Sequence, residues 1–283
     1  MTKDVVEAPP ATETGMRTIE ERFAARVMMN VPDKHNPRLR AVMDLANADD
    51  DLYALWLAAN VNAIERLGMT DHGPVHVKIV MNIAVRMIRL LEDAGVAPSL
   101  TTAYGLPPED AEVVVALASL LHDIGMSIHR SGHEEFSLFL ATRKLEEMLP
   151  KVYDRRVATI MRSEVLHAII AHRSGGVPLT LEAGIVRIAD SLDMAKGRSR
   201  IPFAAGSVSI HSLSAQAIEA VHIEKGEERP IKIVVEMSNS AGVFQLDQLF
   251  REKMKGSGLE RYVELEGKME GDMEKRLFQS FRL

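Results

Sequence analysis

The chain has 283 residues, 46% apolar and 26% charged, with 34 basic against 40 acidic side chains and a formal charge of −6. That is a globular balance, long enough for one large domain or two modest ones. Ten histidines stand against no cysteine, which excludes disulfides, thiolate zinc sites and thiol nucleophiles and leaves any metal to nitrogen and oxygen ligands.

Residues 1–16, rich in Pro, Thr and Glu, read as a disordered start with no basic-then-apolar leader. A soluble cytoplasmic protein is therefore expected. A short helix is expected over 17–30, ended by Pro32 and Pro37. Residues 38–68 carry an apolar stripe of Leu39, Val42, Leu45, Leu52, Leu55, Trp56 and Ile64, which predicts one or two helices. The acidic run 49–51 suits a cap between them.

Asp71 suits an N-cap and Pro74 an early helical turn, and the apolar spacing then runs on to Gly95. The stretch 95–108, with three prolines and Gly105, reads as a loop. A buried helix is expected over 109–124, since residues 113–121 are apolar but for Ser119. That run is far short of the roughly 18 residues of a membrane span. Further helices are expected over 133–149, 152–172 and 180–195.

Beyond Gly197 the pattern changes to alternation, over 207–210, 220–224, 230–237 and 262–265. With helices at 212–219 and 243–255, the order is β-α-β-β-α-β, the ferredoxin-like arrangement. The expected division is a start at 1–16, a helical body at 17–203 and a small α+β unit at 204–283. The overall negative charge argues against an extended nucleic-acid surface.

Seven of the ten histidines lie between His72 and His172. His72 and His76 are four apart and share a helix face. His122 and Asp123 are adjacent at the end of an apolar helix, where an ionised carboxylate needs a cation or several donors. Asp190 sits inside another apolar helical run, with the same cost. Imidazole nitrogens and carboxylate oxygens together suit Mn²⁺, Fe²⁺, Co²⁺, Ni²⁺ or Zn²⁺. A site of that kind with open positions is suited to hydrolysis.

The order His76, His122-Asp123, Asp190, with HDIG at 122–125, resembles the HD-domain superfamily of metal-dependent phosphohydrolases. The supporting elements are His76 four residues before Val80, His133-Glu134, AIIAH at 168–172 and IADSLD at 188–193. The resemblance covers about residues 70–200 and implies a mainly α fold, a helical bundle followed by the small α+β unit. It implies one or two divalent ions, Mg²⁺ included. His76 (or His72 in its place), His122, Asp123 and Asp190 would hold the first, and Asp123 would bridge to a second on His133 and His172, with His167 as a further ligand or substrate contact. Met126 stands where a phosphate-contacting lysine is frequent, which leaves that role to Arg130, Arg173, Lys196, Arg198 or Arg200.

The function so implied is hydrolysis of a phosphate monoester or diester, with a nucleotide as the expected small-molecule partner. His72 or His129 would protonate the leaving oxygen. The other reading is a nucleotide-binding regulator with little turnover, its C-terminal unit serving sensing or dimerisation. The alternating strands offer edges through which a homodimer could form.

Overall fold

The computed structural model describes residues 18–32, 35–173, 175–194, 216–244, 246, 250–269 and 280–282. Its helices are α1 (Ile19–Ala24), α2 (Pro37–Asn47), α3 (Asp50–Asn60), α4 (Pro74–Asp93), α5 (Ser99–Tyr104), α6 (Glu109–Leu121), α7 (His133–Met148), α8 (Arg155–Ala171) and α9 (Leu181–Leu192). The fold is mainly helical, as expected. Asp49 caps α3, its side chain accepting the Leu52 amide at 2.8 Å. Asp71 does not stand at the cap position of α4, which Gly73 occupies. It reaches in from two residues upstream and accepts the amides of Gly73 and His76 at 3.1 and 3.2 Å.

The stretch 95–108 is not all loop. Between Pro98 and Gly105 the chain makes the short helix α5, and Gly105 ends it in the left-handed region at φ 69°. Glycine has no Cβ to clash there.

Helix α6 is the axis of the body. Every residue from Asp110 to Leu121 is buried, and α2, α4, α8 and α9 pack round it. The burial holds because its polar groups are answered. Arg38 donates to Asp110 at 2.7 Å, Arg89 donates to Glu112 at 2.8 Å, and Trp56 Nε1 donates to the Leu120 carbonyl at 2.7 Å. Cutting one of its leucines to alanine would cost about 2–5 kcal/mol.

The C-terminal part is a four-stranded sheet in the order β1 (Ile218–Lys225), β2 (Ile231–Met237), β3 (Val263–Met269), β4 (Ser280–Arg282). β1 pairs antiparallel with β2, β2 parallel with β3, and β3 antiparallel with β4. This departs from the ferredoxin-like order, in which another strand separates the parallel pair. Here β2 and β3 bond directly, Ile231 opposite Val263 and Met237 opposite Met269. Residues 218 and 219, expected in a helix, are strand, whereas 212–215 and the expected strand at 207–210 lie outside the described residues. Of the helix expected over 243–255, the described part includes α10 (Arg251–Met254). Ile218, Ile231, Ile233 and Val235 join the same apolar cluster as the helices. No helix among the described residues is long and apolar enough to cross a membrane.

Candidate metal centre

The end of α6 delivers two neighbouring side chains to one point. His122 keeps helical angles, while Asp123 leaves the helix at φ −108°, ψ 3°. That departure removes the 100° offset that separates adjacent residues in mid-helix. The imidazole Nε2 of His122 and the Asp123 Oδ2 then lie 3.4 Å apart.

Gly125 makes the turn possible for a steric reason. A Cβ at this position would overlap the His133 carbonyl oxygen and the Ser137 amide at the start of α7. Ser137 ties the turn down, its hydroxyl donating to the His122 carbonyl at 2.6 Å and accepting the Gly125 amide at 2.9 Å.

Four further segments converge there. His76 comes from the first turn of α4, His133 from the first residue of α7, His172 from the end of α8 and Asp190 from α9. His76 Nε2 lies 3.2 Å from His122 Nε2, 3.4 Å from Asp123 Oδ2 and 3.6 Å from Asp190 Oδ1. His122 Nε2 lies 3.7 Å from the same Asp190 oxygen. The other Asp123 oxygen faces the opposite way, with Oδ1 3.2 Å from His133 Nε2 and 3.9 Å from His172 Nε2. One carboxylate thus serves two pairs of imidazoles, one pair with each oxygen.

The outward nitrogens fix the tautomers. His76 Nδ1 meets Asp193 Oδ2 at 2.6 Å, His122 Nδ1 the Ser119 carbonyl at 2.8 Å, and His172 Nδ1 the Ile169 carbonyl at 2.5 Å. Each partner accepts, so Nδ1 carries a proton, and in the neutral ring Nε2 presents a lone pair inward. Two such lone pairs 3.2 Å apart, beside carboxylate oxygens, repel unless a cation, a metal ion or a proton on one ring, stands among them. The donor set therefore fits a divalent ion on nitrogen and oxygen.

The electrostatics point the same way. Burial opposes the charged form of His122, but Asp123 and Asp190 outweigh it and push the imidazole up to about 10. Burial likewise opposes ionisation of Asp123, yet His122, His133 and His76 hold its carboxyl well below the usual range. Asp190 is held down against its burial by His122 and Lys253. His172 is driven down to about 3 by burial and by its neighbour His122. The pocket calls for positive charge at the point where the Nε2 atoms meet.

Three ligand groups can be drawn among the described residues: His76, His122 and Asp190; His122, Asp123 and His172; and His133, Glu134 and His172. Six expected ligands are therefore brought together. His167 is not, because its Nε2 accepts the Leu179 amide at 3.0 Å and so ties down the loop before α9. His72 is buried beside the centre, its ring 5.6 Å from that of His76 and its Nδ1 on the Thr70 carbonyl. His129 is exposed, with Nδ1 accepting the Ser131 amide, and belongs to none of the groups. Arg130 stands at His133, 2.9 Å from its Nδ1, while Arg173 is engaged by Glu135 at the surface. Lys196, Arg198 and Arg200 lie outside the described residues.

Three participants escape the sequence reading. Asp193 lies inside IADSLD, three residues beyond Asp190, and that spacing on a helix could have raised it. Glu134 Oε2 lies 3.0 Å from His133 Nδ1. Lys253 arrives from α10 with no local signal, since its run REKMK reads as a solvated face.

Residues 75–195 match the HD domain family. The chain is also 43% identical over 225 residues to the uncharacterized protein MJ1020 of Methanocaldococcus jannaschii, across 80% of this chain and 86% of that protein. That near-full-length likeness extends beyond the matched domain into the C-terminal part of the chain. With the HDIG turn and its cluster of imidazoles and carboxylates in place, the chain belongs to the HD-domain family.

Proposed function

We propose that the protein is a metal-dependent phosphohydrolase acting on a phosphate monoester or diester, with a nucleotide as the substrate class. The observation that carries this reading is the division of Asp123, whose Oδ2 faces His76 and His122 while Oδ1 faces His133 and His172. Such a carboxylate suits two ions side by side. His76, His122, Asp123 and Asp190 would hold one, and Asp123, His133 and His172 the other. Divalent ions bound there supply Lewis acidity toward a phosphoryl oxygen and make water more acidic.

The chain's own groups do the rest. Asp193, Ser119 and Ile169 fix the imidazoles, so the ligand atoms need no rearrangement when substrate arrives. Arg130, beside His133, is placed to meet a phosphate oxygen from the rim. In the reaction the oxygen of water joins phosphorus and gives up a proton to solvent, the bond from phosphorus to the leaving oxygen breaks, and that oxygen takes a proton. His72 would give it as the imidazolium, from Nε2: it is 8% exposed, lies beside His76, and its Nδ1–H is held by the Thr70 carbonyl. His129, directed to Ser131, is less well placed.

The test is turnover of a panel of nucleotides and generic phosphoesters by the full chain loaded in turn with Mn²⁺, Fe²⁺, Co²⁺, Ni²⁺, Zn²⁺ and Mg²⁺. Release of phosphate or nucleotide product with at least one ion is expected. Absence of turnover with all six would overturn the hydrolase reading, and tight nucleotide binding without product would favour the regulator.

A further inference from the structure

The C-terminal segment 251–259 is locked onto the helical body at three points. At Gly184 of α9 a Cβ would overlap the carbonyl oxygen of Ser257, so glycine alone permits this approach of loop to helix. One turn further along α9 stands Arg187, 4% exposed. Its guanidinium donates to the backbone carbonyls of Gly176 and Glu252, and among the described residues its buried Nε has no hydrogen-bond partner. A buried guanidinium spent on two main-chain carbonyls clamps α10 to the loop after α8.

The third point is Lys253. Its Nζ donates to the His172 carbonyl at 2.6 Å and lies 3.6 Å from Asp190 Oδ2. Asp190 is thereby divided, with Oδ1 toward His76 and His122 and Oδ2 toward the ammonium. An ammonium has three protons in tetrahedral array. One goes to His172, and the side chain keeps 22% of its surface open to solvent. A positive charge is thus held 3.6 Å from a candidate metal-ligand carboxylate, on a side chain that stays partly exposed. Met126, at the position where a lysine is frequent in the family, is fully buried against Ala59 and Ala63 and gives no such charge.

We propose that Lys253 is the cation that receives the phosphate of the substrate beside the metal centre, so that the C-terminal segment completes the site. This rests on the phosphohydrolase reading for its ligand. A phosphate oxygen bound next to the ligands of the first ion would meet Lys253 without displacing it from His172.

The experiment measures binding of inorganic phosphate to the full chain loaded with Mn²⁺, together with Mn²⁺ affinity by calorimetry, for the parent, Lys253→Met and Lys253→Arg. Lys253→Met is expected to weaken phosphate at least tenfold while Mn²⁺ affinity stays within threefold. Lys253→Arg should recover part of the loss, because it keeps the charge. Unchanged phosphate affinity in a folded Lys253→Met would overturn the proposal. Equal loss of Mn²⁺ and phosphate affinity would also overturn it, since Lys253 would then act only through Asp190. If Lys253→Met fails to fold by circular dichroism, Lys253→Arg and Lys253→Gln carry the comparison. Because phosphate binding is read without turnover, an inactive but phosphate-binding protein would sink the hydrolase reading and leave the role of Lys253 standing.

Discussion

Asp193 holds His76 across 117 residues of sequence, with Oδ2 2.6 Å from Nδ1. The contact sets which nitrogen of His76 faces the ligand cluster. An asparagine at 193 keeps the shape but loses the charge, and its amide can turn either way. Asp193→Asn is therefore expected to weaken Mn²⁺ binding about 10- to 100-fold, the usual effect of losing an outer carboxylate. Titration calorimetry on the folded variant checks this, and an affinity equal to the parent's would refute it.

The turn at Gly125 predicts a coupled loss. Alanine at 125 would meet the His133 carbonyl and the Ser137 amide, both backbone atoms that cannot swing away. Gly125→Ala should cost about 1–3 kcal/mol in urea unfolding, in line with other overpacked sites. It should also separate His133 from Asp123, now 3.2 Å apart, and so reduce the bound metal measured by elemental analysis.

The body and its candidate ligands were largely legible because their signals are local. The apolar run of α6, the HDIG turn after it and the spacing of His76, His133 and His172 are read along the chain. What escaped is non-local. Lys253 meets His172 across 81 residues and lies on a short helix that gives no apolar period. Helix α5 was hidden by the prolines around it, of which Pro98 stands at its N-cap while Pro107 and Pro108 lie beyond its end. His167 shares the composition of the ligands, but only the fold shows that it serves the Leu179 amide. Strand alternation located β1, β2 and β3, yet pairing between strands is a tertiary choice, and the parallel register of β2 with β3 has no counterpart in periodicity.

Glu92 should make stability depend on pH. Burial, then Glu112, raises its carboxyl from 4.5 to about 7, and among the described residues its buried Oε1 has no hydrogen-bond partner. A raised folded value means that the protonated form favours the fold. The contribution is complete below pH 4.5 and is lost as pH rises through about 7. Glu92→Gln removes the ionisation, so it should stabilise the chain at pH 8 by about 1 kcal/mol, after discounting for partial exposure, and change little at pH 4. Urea melts at the two pH values measure the difference, and equal shifts at both would refute it.

Metal removal should be felt as lost stability. A ligand at one hundred times its dissociation constant adds about 2.7 kcal/mol to the folded state. Chelation is therefore expected to lower the melting temperature of the loaded protein by about 5–10 °C. Scanning calorimetry with and without chelator checks this, and identical curves would show that no ion was bound.

The placement of Lys253 bears on when the site comes into being during synthesis. His76 leaves the ribosome first, and the imidazoles and carboxylates follow in order up to Asp190. A nascent chain halted before α10 would hold the six candidate metal ligands, yet lack the ammonium beside Asp190 and the segment that seats on Gly184. On the proposed reading, capture of an ion by those side chains can precede synthesis of α10, while the phosphate contact of Lys253 cannot. A chain halted there would then carry its ions without the ammonium proposed to hold a substrate against them.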